Sequence, residues 1–435
     1  MTRLAPTLAL LAIACGDPTA APAPVPTPTP SPAPEPWTDA RLLEQGHAYL
    51  TDTAVRRAAL ERSLTNPRNM YSRIRLGAYG LGTRGWDLLP VWNPRSLPVT
   101  AELVPALERG EMPAIPAGRA PLWKGVTPTT MAEWVALGRR VFFEYPMRAE
   151  VFMEYALAQP RLARAVGIER TRDGAIPGLV VFANVDGETR VGITCAICHT
   201  TVRDGELVVG QARRSFDYGK LRLTFDQAHG TVRSPEEAAR MASWGPGRAD
   251  VTEDDDEDPV AIPDLWGLRD QRYLTQAGTI THEDPLALAI RQETQLTDSN
   301  HARIRPPREL AWALAMFLYS LTPARIAAAP PARGADVFGK HCARCHANAA
   351  YGGALVTTAT VGTDPALATG RGRGTGKYRV PALLGVAAGA PYLHHGAVAS
   401  LAELLSPART VPGHRFGTDL SAEDRAALLG FLETL

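Results

Sequence analysis

The chain has 435 residues, 45% of them hydrophobic, and a formal charge of +1 at pH 7. That is the composition of a globular protein with room for two or three domains. It excludes a bulk electrostatic attraction to nucleic acid or to an anionic membrane surface.

The N-terminus, MTRLAPTLALLAIACGD, places one Arg before a short apolar run that ends at Cys15. Such a run is too short for a stable membrane span and reads as an export signal over 1–15. Small residues run into Cys15 as at a bacterial lipoprotein cleavage site, although Ala12 stands where Leu is usual. A lipid anchor on Cys15 is expected, with simple secretion as the alternative. Residues 16–36 alternate Pro with small residues. That pattern forbids helix and sheet and makes a linker, either a polyproline II spacer of about 3.1 Å per residue or a disordered one.

Residues 37–125 form an N-terminal extension with a helical run, DARLLEQGHAYLTDTAVRRAALERSL, followed by Gly- and Arg-rich sequence. Trp86 and Trp92 read as packing residues. A helix follows Thr127-Pro128, with Thr127 as cap and the proline in the first turn. Two apolar stretches, GLVVFANV and RVGITCAICH, come next. The acidic run Glu253–Asp258 could bind a cation or simply be a solvated loop. Pro306-Pro307 open a helix over RELAWALAMFLYSL that Pro323 stops. A linker then leads to a helix over GADVFGKH, and the chain closes with LSAEDRAALLGFLETL, capped by Ser421 with Asp424 three residues on.

Four of the five cysteines lie in two copies of Cys-x-x-Cys-His: Cys195, Cys198 and His199, then Cys342, Cys345 and His346. None is spare for a disulfide framework. Two thiols on one turn can add across the vinyl groups of haem, and the adjacent His then ligates iron, so two covalently bound haem c groups are expected. A zinc module would not set its two histidines 147 positions apart. A thioredoxin-like pair does not need the His. The two halves also read as distant repeats, IPDLWGLRDQRYLTQAG over 262–278 and VPALLGVAAGAPYLHHG over 380–396. They share Pro, Leu, Gly and a final Gly at matching offsets, with Tyr-Leu close before the end. All Met residues precede Cys342, so the sixth-ligand candidates for the second iron are His394, His395 and His414. For the first they are His229, His282, His301 and Met241, or nothing.

The two motifs, with Val380-Pro381-Ala382-Leu383 and Ala390-Pro391-Tyr392-Leu393-His394-His395-Gly396, resemble the bacterial dihaem cytochrome c peroxidase superfamily over roughly 127–435. That group includes hydrogen-peroxide reductases, an enzyme that matures a tryptophan-derived cofactor, and rubber-cleaving oxygenases. The resemblance implies a mainly α fold of two class I cytochrome c-like haem domains, 126–325 and 330–435, behind an irregular N-terminal extension. It implies His414, 68 residues beyond His346, as the distal ligand of the second haem, His394 near the haem edge, and Arg379 as a propionate partner. Two features depart from the family's peroxidases. No Trp stands at Thr275-Gln276-Ala277, where they carry one between the haems, though Trp244 or Trp266 could serve. No His occurs in Arg213–Lys220, where their distal loop would lie.

The expected function is an exported dihaem c-type oxidoreductase. The iron on His199 would activate peroxide or dioxygen, while the His346/His414 haem transfers electrons to or from a small cytochrome or cupredoxin. The alternatives are a non-catalytic dihaem carrier tethered at the cell envelope and a redox-sensing lipoprotein.

Overall fold

The computed structural model describes residues 37–250, 258–324 and 329–435. The signal, the Pro-rich linker and most of the acidic run lie outside the described residues. Asp39–Leu435 form one compact unit, with helices making up about 41% of the structure. Among the described residues no helix is long and apolar enough to cross a membrane.

The extension is less irregular than expected. Its helical run becomes α1 (Asp39–Thr51) and α2 (Thr53–Ser63), divided at Asp52, whose carboxylate accepts from the N–H groups of Ala54 and Val55. A third helix, α3 (Met70–Ala78), is capped by Asn69. Trp86 is buried, and Trp92 meets Tyr145 and Phe182 edge to face, so both pack as expected. Strand β1 (Ser96–Pro98) comes next.

The next helix, α4 (Met131–Glu144), starts later than Thr127-Pro128 suggests. Thr130 is its cap, because its hydroxyl accepts from Glu133 N while Glu133 reaches back to the cap's own N–H. That reciprocal box satisfies two orphan donors, whereas the proline supplies none. The two apolar stretches form β3 (Leu179–Ala183) and β4 (Thr189–Ile193), an antiparallel pair in register Val181 to Val191. With β1 and β2 (Arg148–Ala149) they make a four-stranded sheet ordered β1-β3-β4-β2. It covers the apolar cluster holding Met153, Ile197 and Phe216, and so backs the first motif.

Helices α5 (Tyr218–Ala228) and α6 (Pro235–Trp244) pack together, and α7 (Pro285–Ser299) precedes α8 (Arg308–Tyr319). Every residue of α8 from Leu310 to Tyr319 is buried. A helix apolar all round must be enclosed, and α1, α4 and α7 enclose it. The chain ends with α9 (Ala332–His341) before the second motif and α10 (Ala422–Leu432) after it. Ser421 caps α10 and accepts from Asp424 N at 3.1 Å, as the sequence predicts.

The two helix crossings match in detail. A Cβ on Gly334 of α9 would meet the Ala427 carbonyl of α10 at 2.2 Å and Phe431 Cβ at 2.7 Å. A Cβ on Gly138 of α4 would meet the Ala313 carbonyl of α8 at 1.9 Å and Phe317 Cβ at 2.7 Å. In each half the helix before the motif crosses a later helix at a glycine, against an Ala carbonyl and the Phe four residues on.

Candidate haem sites

Each Cys-x-x-Cys-His is a tight turn pressed against a glycine. Gly178 (φ +93°) lies where a Cβ would meet Ile197 N at 2.2 Å, and a Cβ on Gly353 would meet the Cys345 carbonyl at 1.9 Å. Burial raises the thiols of Cys195 to about 12 and of Cys198 and Cys342 to about 11. Neutral thiols of this kind suit addition to the vinyl groups of haem.

The histidines of the two motifs are held alike. His199 Nδ1 donates to the Pro263 carbonyl at 3.0 Å, and His346 Nδ1 donates to the Tyr351 carbonyl at 2.6 Å. The Pro381 carbonyl also supports the His346 proton. A carbonyl partner fixes the proton on Nδ1 and leaves Nε2 as a free lone pair, the form a metal takes. Burial keeps both rings neutral, drawing His199 down to about 4 and lowering His346 in the same direction.

Pro263 and Pro381 are the second residues of the two repeats, and the backbone carries the repeat further. Gly267 and Gly385 are both left-handed and each opens a short 3-10 turn. Thr275 and Leu393, at the same offset, both have φ +69°, and Gly278 and Gly396 follow at φ +61° and +67°. The turns are then exchanged between halves. Gln211 Nε2, from the first half, donates to the Ala388 carbonyl at 3.0 Å, and Asn348 Nδ2, from the second, donates to the Asp270 carbonyl at 2.6 Å. Trp266 lies at this junction, its Nε1 donating to Val209 O at 3.0 Å and its ring packed where Cβ atoms on Gly210 and Gly385 would collide with it.

A cavity opens around the second motif, walled by Phe338, Leu405, Leu428 and Leu432. His346 and His414 face each other in it with ring centres 6.5 Å apart. Two imidazoles sharing a metal through bonds of about 2.0–2.1 Å have ring centres roughly 6.3 Å apart, so the gap fits one bound ion. Nδ1 of His414 is buried with no hydrogen-bond partner, and burial draws that ring down to about 4. Arg379 lines the same cavity. Its Nη1 reaches Gln271 Oε1, its Nε is buried and unpartnered, and burial lowers it to about 10. Such a cation fits an anionic haem edge. His394 stacks on Tyr378 at 4.2 Å, with Nε2 at 3.1 Å from the Tyr378 hydroxyl, and does not face His346. His395 is within 3.4 Å of Thr363 Oγ1. The residues present fit haem.

The candidates for the first iron are distributed elsewhere. His282 is buried with Nδ1 at 2.7 Å from the Gln271 carbonyl and Nε2 against the Tyr319 hydroxyl. His229 stacks on Phe225 at the exposed end of α5. His301 lies beside a separate pocket with Asn184 and Arg303, and Met241 is buried in α6. Among the described residues no imidazole faces His199 as His414 faces His346. Around the first motif the charged neighbours include Arg291 of α7, near Cys195 and His199, Arg214 near His199, and Arg213 and Arg148 near Cys198.

A family profile described as "RoxA-like, cytochrome c-like" matches residues 376–412, the segment with Arg379, Pro381 and His394. No curated protein matches. One solved structure with similarity is titled "Crystal structure of a MauG-like protein associated with microbial copper homeostasis". It is 20% identical, with TM-score 0.33, covering 44% of this chain and 78% of that one. Residues 376–412 are thus a cytochrome c-like segment, and covalently bound haem c is the cofactor that it and the Cys-x-x-Cys-His turns imply.

Proposed function

We propose that this chain is an exported dihaem c-type oxidoreductase, with one haem on Cys195, Cys198 and His199 and the other on Cys342, Cys345 and His346. The matching helix crossings, the carbonyl-held histidines and the paired left-handed positions support two cytochrome c-like halves, 126–325 and 330–435. Haem c, when bound, supplies one-electron transfer and, at an iron with a free position, reactivity toward peroxide or dioxygen.

The observation that carries the assignment of roles is the asymmetry between the two histidines. His414 faces His346 across a gap of one ion, and this favours a closed second site used for electron transfer. Among the described residues nothing comparable faces His199, and this favours the first site as the reactive one. Arg379 neutralises the haem edge in the second cavity, and Trp266 packs between the halves where electrons would pass. A tethered electron carrier is the second reading, favoured if Met241 or another group closes the first iron. An anchor on Cys15 and a small cytochrome or cupredoxin as redox partner belong to both readings.

The test is an absorption titration of the purified, reduced protein with carbon monoxide, with covalent haems counted by intact mass. Two haems and one equivalent of carbon monoxide are expected, followed by peroxide or dioxygen turnover. Two haems with no carbon monoxide shift would leave only the carrier.

A further inference from the structure

We infer that Arg409 is the positioning residue that holds His414 opposite His346, an inference that rests on reading His414 as the sixth ligand of the second haem. His414 lies in VPGHRFG, a stretch with no regular secondary structure. Its backbone is left-handed, at φ +46°, between Gly413 at φ +96° and Gly417 at φ +81°. Side-chain-bearing residues adopt that conformation uncommonly, His more readily than most, and contacts around the loop hold His414 in it.

The holding group is the Arg409 guanidinium, only 5% exposed. Its Nη1 donates to the Val411 carbonyl at 2.6 Å, and its Nη2 donates to the carbonyls of Gly413 at 2.6 Å and His414 at 3.0 Å. Arg415 Nη1 closes the ring of bonds on the Arg409 carbonyl at 2.6 Å. On the outer side His414 N donates to the Val361 carbonyl at 2.6 Å, and Gly413 is so close to Thr363 that a Cβ would meet its Cβ at 2.6 Å. Both backbone polar groups of His414 are thereby fixed, one by Arg409 and one by the Val361 loop.

A planar fork of donors can hold three carbonyls in one curled loop, and the single ammonium of lysine cannot reproduce that fan. Arg409 does not itself line the cavity, its bond to the wall is to the His414 carbonyl, and no described contact joins it to the ring of His346. Its effect on the iron would pass through the backbone of His414 alone. The consequence is a sixth ligand that does not exchange with solvent or with small molecules.

Arg409→Lys and His414→Gly are compared with the unaltered holoprotein. The readouts are covalent haem by intact mass, ferric and ferrous spectra, and carbon monoxide uptake. His414→Gly is expected to open the second iron, and added imidazole to close it again. Arg409→Lys is expected to keep both haems but take up more carbon monoxide than the parent, with imidazole again restoring the low-spin spectrum. An unchanged second haem in Arg409→Lys beside an altered one in His414→Gly would overturn the clamp and leave the ligand standing. No change in His414→Gly would overturn the ligand reading and the clamp with it. Loss of haem from the second motif in Arg409→Lys would also overturn the proposal, since it would assign Arg409 to attachment.

Discussion

At the scale of single residues, burial sets the chemistry. His282 is enclosed between the Gln271 carbonyl and Tyr319, and burial draws its pKa from 6.5 to about 4, with the carbonyl working the other way. The unfolded chain therefore takes up this proton before the folded one does. The sign follows from linkage: stability is whole above about 6.5 and falls as pH drops toward 4, by roughly 2 kcal/mol at pH 5. Replacing His282 with Gln should shrink the difference in urea stability between pH 7 and pH 5 by about that amount. An unchanged difference would show that the ring is protonated in place. Arg409 and His282 also show what a sequence hides at this scale. An arginine in ARTVPGHRFG looks like any surface arginine, because nothing local says that three carbonyls will curl around it.

At the scale of elements, the glycine crossings carry the largest expected effects. Gly138→Ala would drive a methyl into the Ala313 carbonyl and Phe317, forcing α4 and α8 apart. Overpacking of that kind costs about 1–3 kcal/mol, read as a lowered melting temperature. Gly178 is harsher, since Ala there adds left-handed strain to a clash with Ile197 N. Gly178→Ala should leave less haem on the first motif than on the second, counted by mass after proteolysis. Helix starts and stops around Pro307, Ser421 and Pro323 were legible because caps and prolines act locally. Thr130 was legible from its Thr-x-x-Glu spacing to Glu133, a pattern Thr127 lacks, but Thr127-Pro128 offered a competing cap and first-turn proline. Strand β2 was not legible, since two residues make a strand only by pairing with Gly192 and Ile193.

At the scale of the whole molecule, the extension is part of the core. Helix α1 lays Tyr49 on Trp312 of α8 at 5.7 Å, and a Cβ on Gly46 would meet the same indole at 2.7 Å. Tyr49 and Tyr79 both donate to Glu293 of α7, at 2.6 and 2.7 Å, and Arg308 lies 3.1 Å from the same carboxylate. Deleting residues 37–80 would leave a buried carboxylate without its two tyrosines and bare the apolar α8, so the truncated chain should aggregate, as read by size exclusion. Trp266→Leu tests the junction between the halves. On the proposed two-haem reading, it should slow electron equilibration between the haems after rapid partial reduction, with both spectra unchanged.

Local sequence pointed to covalent haem chemistry. Two thiols and an imidazole on one turn need no distant residue to define them, and the scarcity of cysteine made the two copies plain. It also determined most helix ends, which depend on neighbours within four residues. The tertiary structure decided which histidine faces which, because His346 and His414 meet only after 68 residues of chain have been folded back. It also decided that the two repeats exchange their turns and that the extension encloses α8. Those are long-range contacts, and a local pattern carries no information about the partner at the far end of a loop.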